Sequence, residues 1–306
     1  MAPCFLRTEP LINVPMTQES EARLVADVHA VLGEGPVWVA AEQALYWVDI
    51  KGRKIFRIDA DEQLTTWDTP FRVGSLAPRE SGGFIAGTEH GLAHVQLEAE
   101  RFELLFDPEE ERETNRFNDG KVDRQGRFFA GTMDDEEQRD SGAFYRIHHD
   151  LSCVRVDDGY RVTNGPAFSP DGRTMYTNDS ARQVTYAFHF APDGTPVGRR
   201  ELARYGEGQG YPDGMTVDAE GCLWIAFWDG WCLRRLSPEG EIIAEHRVPV
   251  AKPTSCAFGG PDLDRLYVTS ASIGLSESEK AMQPNAGGLF MLSPGVRGIA
   301  ERPFAG

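Results

Sequence analysis

Four residues of this chain carry side-chain oxygens at matched places: Glu34, Asn118, Asn164 and Asp213. Each stands eight residues ahead of a position in a short turn, Glu42, Gly126, Gly172 and Gly221 respectively. Gly74 and Thr254 hold the same place ahead of Gly82 and Asp262. If the six turns are structurally equivalent, these six residues lie at one height and the four polar ones face each other. The polar set offers two carboxylates and two amide carbonyls, with no His and no Cys. Oxygen-only ligation with two negative charges suits a hard divalent cation such as calcium, manganese or magnesium. It is a poor match to the nitrogen- and sulfur-rich sites that zinc usually takes. Taken singly, each residue is also an ordinary turn former, so the inference rests on their common register.

The register belongs to a repeat. Six hairpins recur: WVAAEQALYWVDI (38–50), LAPRESGGFIAGT (76–88), KVDRQGRFFAGTM (121–133), FSPDGRTMYTND (168–179), VDAEGCLWIAFW (217–228) and FGGPDLDRLYVTS (258–270). Their spacing, roughly 40–50 residues, is that of propeller blades. A third strand-like run follows each hairpin and a fourth, more polar run follows several, such as 63–68, 102–107 and 241–248. Four strands in each of six repeats predict an all-β fold, a six-bladed β-propeller. The first strand of a blade lies nearest the axis, so equivalent residues at its start form a ring around one mouth of the central channel. The loops 134–140 and 271–288 should overhang that mouth, the second with a helical turn near 276–280 and a role as a lid. Residues 22–29 are expected to close the ring as outer strand of the last blade, with 298–304 as the alternative.

Composition narrows the classes. The chain has 306 residues with 48 acidic against 31 basic side chains, a net charge of −17. Such a surface repels phosphates and argues against a nucleic-acid partner. No apolar run reaches membrane-spanning length, and the first ~20 residues lack the basic-then-apolar pattern of a signal peptide. They read as a flexible extension, residues 1–20, ahead of a single propeller domain over 21–306, and Met16 is an alternative start. Five cysteines without metal-type spacing point to a reduced, cytoplasmic chain. No oligomeric state is set by the sequence, and a monomer is the working assumption.

GEGPVW, NRFNDGKVDRQGRFFAGTM, TNGPAFSPDGRTMY and YPDGMTVDAEGCLW resemble the signature stretches of the regucalcin/gluconolactonase family, in the same order and over nearly the whole chain. The resemblance implies one catalytic divalent metal ion and hydrolysis of sugar lactones to aldonic acids. Calcium is the first choice of metal, with manganese, magnesium, zinc and iron as alternatives. It further implies that Glu34, Asn164 and Asp213 ligate the metal, and that Asp213 also serves as general base. Arg116 and Asn118 match substrate-holding positions, with Asn118 close enough to join the metal shell. Glu136 falls where the family has a substrate-contacting acid, in a loop, DDEEQRD, that differs from the family's. Two other functional classes share such a ring: a non-catalytic calcium-binding propeller, and an esterase or phosphotriesterase using the same metal.

Overall fold

The second strands of the repeats are apolar on both faces. In Ala44–Asp49, Ala44, Tyr46 and Val48 face one way and Leu45 and Trp47 the other, and all are buried. Side chains alternate across a strand, so a sheet buried on both faces must be flanked by two others. Repeated around a circle, that requirement closes a ring.

The computed structural model describes residues 22–306. It shows six four-stranded antiparallel sheets. Blade one runs outward through Gly33–Val39, Ala44–Asp49, Lys54–Asp59 and Leu64–Asp68. The inner strands of blades two to six are Val73–Pro78, Asn115–Val122, Thr163–Phe168, Tyr211–Val217 and Pro253–Gly259. Outer strands such as Leu64–Asp68 and Pro196–Arg204 are largely exposed and polar, as expected of the rim.

Six apolar clusters fill the six gaps between neighbouring blades. The gap between blades three and four is aromatic, with Phe129 packed on Phe168 and Phe144 on Tyr160 at centroid distances of 5.3 and 5.1 Å. Each fully buried large apolar side chain contributes roughly 1.5–3 kcal/mol, so the ring is held by sheet-on-sheet packing.

Blade six is completed by the N-terminal side of the chain. Arg23–Ala26 pairs with Leu289–Leu292, outside Arg265–Ser270. The alternative segment, 298–304, instead crosses the hairpin turns at the opposite end of the channel. There Gly298 bridges to Asp218 and Phe304 to Arg79, and Ala305 N–H bonds the Gly126 carbonyl at 3.0 Å. The one helix among the described residues, Glu277–Met282, starts at the expected place with a capping box between Ser276 and Glu279. No helix among the described residues is long and apolar enough to cross a membrane. Cys153, Cys222, Cys232 and Cys256 are free thiols. The extension expected over residues 1–20 lies outside the described residues.

Phe304 is fully buried in the cluster between blades two and three. Phe304→Ala should lower stability by about 3–5 kcal/mol, the range for a large aromatic removed from a core, read from denaturant midpoints. A loss below about 1 kcal/mol would mean that the tail docks without this anchor.

Candidate active site

Every inner strand breaks register at the same level. The irregularities fall between Glu34 and Val37, Val73 and Ser75, Phe117 and Gly120, Asn164 and Ala167, Pro212 and Met215, and Pro253 and Ser255. All six register-matched positions sit at or inside these bulges. A bulge bends its strand and re-aims a side chain, which is how residues of a buried strand come to point along the channel. Glu34, Asn118, Asn164 and Asp213 line one cavity of about 520 Å³ at the mouth. Gly74 and Thr254 do not join them. A Cβ at Gly74 would collide with the Phe117 and Asn118 carbonyl oxygens of blade three. The Thr254 hydroxyl donates to the Gly33 carbonyl at 2.5 Å, so it ties blade six to blade one. The ring of six positions is thus a set of four side chains.

Glu34 and Asp213 are 5% and 6% exposed, and no cationic side chain lies within ion-pair distance of either among the described residues. Glu34 Oε2 accepts only the Gly35 N–H, at 2.8 Å. Burial, then the nearby Asp119 carboxylate, pushes the Glu34 carboxyl up to about 8. Burial, then Glu34 and Asp119, raises Asp213 well above the usual carboxylate range. Asn164 is oriented by its neighbours: Nδ2 donates to Ser180 Oγ at 2.8 Å, and Ser180 Oγ donates to the Pro212 carbonyl at 2.6 Å. That fixes the Asn164 amide oxygen, which accepts from Asn118 Nδ2 at 3.2 Å. The Asp213 backbone is pinned by Asn178, whose Nδ2 donates to the Asp213 carbonyl at 2.6 Å. Two buried, uncompensated carboxylates beside an oriented amide oxygen fit a hard divalent cation held by Glu34, Asn164 and Asp213. The Asn118 oxygen accepts from Arg116 Nη1 at 2.7 Å. Among the described residues no three His, Cys, Asp or Glu side chains converge on one point, so an amide would have to be the third donor.

Arg116 is buried and donates through Nε to Asp135 Oδ1 at 2.6 Å. Asp135 also takes Arg72 at 2.7 Å and Lys51 at 2.9 Å. Burial opposes its ionisation, but the bonds from Arg72, Arg116 and Lys51 outweigh that and hold its carboxyl far below the ordinary range. Arg116 therefore presents a fixed edge to the cavity.

Glu136, the acid that the resemblance assigns to the substrate, sits at the outside of its loop. It is exposed and does not line the cavity, whereas its neighbours Asp135 and Glu137 do. The tight turn after Asp134, with Glu137 at φ 56°, carries Glu136 outward. The loops 134–140 and 271–288 both reach the mouth, through Asp135, Glu137, Ile273 and Gly274. One further residue was not anticipated. Asp119 is buried below Asn118 and accepts the Gly120 and Gly165 N–H groups at 2.7 and 3.0 Å. It braces the turn under Asn164, and burial raises its own carboxyl to about 6. Its adjacency to a ring residue was the only signal available in the sequence.

Fold and site together define a six-bladed propeller with an oxygen-lined, doubly acidic centre at one mouth. Residues 32–272 match the family described as SMP-30/Gluconolactonase/LRE-like region, and the chain belongs to that family. It is 38% identical to regucalcin of Xenopus laevis, over 90% of this chain and 95% of that one. It is equally 38% identical to 6-deoxy-6-sulfogluconolactonase of Pseudomonas putida, over 90% and 96%. Among solved structures, a calcium-binding protein, regucalcin, from Agrobacterium tumefaciens matches with a TM-score of 0.88 at 28% identity, covering 92% of this chain and 97% of that one.

The proton held by Glu34 sets an expectation. A cation must displace it, so apparent affinity for a divalent ion should rise with pH through the range around 8 in which Glu34 ionises, by up to roughly tenfold per pH unit for each proton displaced. Calorimetry near neutral pH in buffers of different ionisation enthalpy should detect at least one proton released per ion bound. Release of none would mean that both carboxylates are already ionised in the metal-free site.

Proposed function

We propose that this protein is a divalent-metal-dependent lactonase that opens sugar lactones to aldonic acids. The observation that carries the reading is the pairing of Glu34 and Asp213, buried without cations, with an arginine edge in one open cavity. It is supported by a relative at 38% identity named as a sugar-lactone hydrolase, 6-deoxy-6-sulfogluconolactonase. Calcium is the favoured ion because the donors are all oxygen and two are anionic.

Held by Glu34, Asn164 and Asp213, a divalent cation would polarise the lactone carbonyl, offset the negative charge developing on its oxygen and acidify water. The chain's own residues do the rest. Arg116 and the Asn118 amide hydrogen-bond the sugar and fix its carbonyl carbon relative to Asp213. Asp213, as carboxylate, accepts a proton on an Oδ atom as water oxygen bonds to the carbonyl carbon. It returns that proton to the ring oxygen as the ring C–O bond breaks, leaving a hydroxy acid that ionises to the aldonate. An ordinary aspartate, with a pKa near ~4, is a weak base at neutral pH. The transfer therefore depends on the acidified water rather than on the basicity of Asp213 alone. From the 134–140 loop, Asp135 and Glu137 are better placed than Glu136 to meet substrate.

Chelation should abolish lactone hydrolysis and a single divalent ion should restore it. Full activity in protein shown by elemental analysis to be metal-free would remove the cation from the reaction. Asp213→Asn keeps an oxygen in place and removes the proton acceptor. At saturating metal, kcat should fall about 10²–10⁴-fold, the usual worth of a general base. Near-normal kcat would reduce Asp213 to a replaceable ligand. Wild-type protein that binds the ion tightly yet opens no lactone would favour the non-catalytic, calcium-binding reading.

Arg116 makes a separate test. Arg116→Met removes the sugar-facing edge without touching a metal ligand, so KM for a five- or six-carbon aldonolactone should rise, on the order of tenfold or more for a lost charged hydrogen bond. An unchanged KM would confine Arg116 to its structural pairing with Asp135.

A further inference from the structure

Counting back two residues from each ring position, one full pleat up the same face, gives a second tier: Leu32, Arg72, Arg116, Val162, Tyr211 and Lys252. Three of the six are cations. Arg72 and Arg116 are both tied to Asp135. Lys252 is held differently. Its Nζ donates one hydrogen bond, to the Ile273 carbonyl at 3.0 Å, and lies 4.5 Å from the centre of the Trp228 ring. Its nearest carboxylate, Asp229, is 3.9 Å away and half exposed. The Lys252 side chain is 12% exposed and lines the cavity, and an ammonium has three donors to satisfy.

Among the described residues four cations line the cavity, and the other three each have a carboxylate at hydrogen-bond distance. Lys51 and Arg116 hold Asp135, and Arg161 holds Asp140. Lys252 alone lacks one among the described residues. It introduces the inner strand of blade six, between blades five and one, which carry Asp213 and Glu34. Arg116 belongs to blade three, diametrically across the channel. A ligand centred on the acidic pair therefore has Arg116 on one wall and an undercompensated ammonium on the other.

We propose that Lys252 forms an anion-holding subsite, and that the preferred lactones carry a second acidic group, a carboxylate or sulfonate, on the carbon chain away from the lactone carbonyl. The proposal rests on the lactonase reading for what happens at the other end of the ligand. A neutral hydroxyl could also accept from Lys252, but only an anion pairs with its charge, and hydrogen bonds between ions are the stronger ones. Trp228 beneath the ammonium gives this wall an apolar floor, which strengthens the pair.

The test compares D-glucono-1,4-lactone with D-glucaro-1,4-lactone, which differ by a terminal carboxylate. In metal-loaded wild-type protein, kcat/KM should favour the charged lactone by roughly tenfold to a hundredfold, the span of hydrogen bonds to charged groups, with the gain mainly in KM. In Lys252→Met the ratio should fall to about one, and Lys252→Arg should recover part of it. A wild-type ratio near one, or a ratio unchanged in Lys252→Met, overturns the subsite. Calorimetric binding of D-glucarate against D-gluconate to the same proteins reads the subsite without turnover. Tighter binding of glucarate that depends on Lys252 upholds it even if neither lactone is opened, in which case it is the lactonase reading that fails. Equal binding of the two overturns the subsite whatever the outcome with the lactones.

Discussion

Glu34 and Asp213 are two carboxyl groups buried at one mouth of the channel, with Asp119 close to them and, among the described residues, no basic side chain bonded to the pair. Taking an ion out of water costs several kcal/mol even after relaxation, and placing two together adds their repulsion. Without a cation, the chain's only relief is to keep protons on these carboxyls, which is why both are raised. Such a centre persists only in a scaffold whose other interactions exceed its cost. The six apolar clusters between blades are that scaffold, and none of them depends on the charged ring. Stability and chemistry are thus placed on different surfaces of the same strands: across the sheet faces for packing, along the channel for the site.

The bulges join the two. A regular inner strand would send every side chain into one inter-blade gap or the other. The register breaks at the ring turn four side chains toward the axis, and hydrogen bonds then fix their direction. Ser180 sets the Asn164 amide, Asn178 pins the Asp213 backbone, and Asp119 braces Gly165. These partners come from neighbouring positions on the same or adjacent blades, so the oxygen set is held before any ligand arrives. A site preorganised in this way has little reorganisation left at the moment of reaction.

Much of this could be read from the sequence because a propeller is a repeat. The eight-residue interval from ring residue to turn is a property of the hairpin, so counting along the chain placed Glu34, Asn118, Asn164 and Asp213 at one level. The outer strand of blade six was also legible, since Arg23–Ala26 lies where closure needs a strand. Counting fails where side-chain direction is set by contacts between blades. Thr254 has the right register but turns its hydroxyl to the Gly33 carbonyl. Glu136 sits in a turn that breaks the alternation, so the acids reaching the cavity are its neighbours. Asp119 was missed because its role, bonding the Gly165 N–H of the next blade, is a tertiary contact with no local signature. The second tier of cations follows from the same register, but only the contacts separate the paired Arg116 from the undercompensated Lys252.

The openness of the site bears on what the acidic pair is for. A hard cation such as calcium takes about 6–8 oxygen ligands, and a site built to store or sense one supplies most of them from the protein. Here the chain offers Glu34, Asn164 and Asp213, and the fourth ring oxygen, that of Asn118, accepts from Arg116. These residues line a cavity of about 520 Å³, far larger than an ion needs. Around that space the chain has set an arginine edge on one wall and an ammonium over an aromatic floor on the other. Cationic groups repel a metal ion rather than hold it; they suit something larger, with groups of its own to bond, bound beside it. A few oxygen donors next to a shaped, charged cavity is the arrangement a substrate requires, and it is the physical ground for preferring a reacting centre over a calcium store.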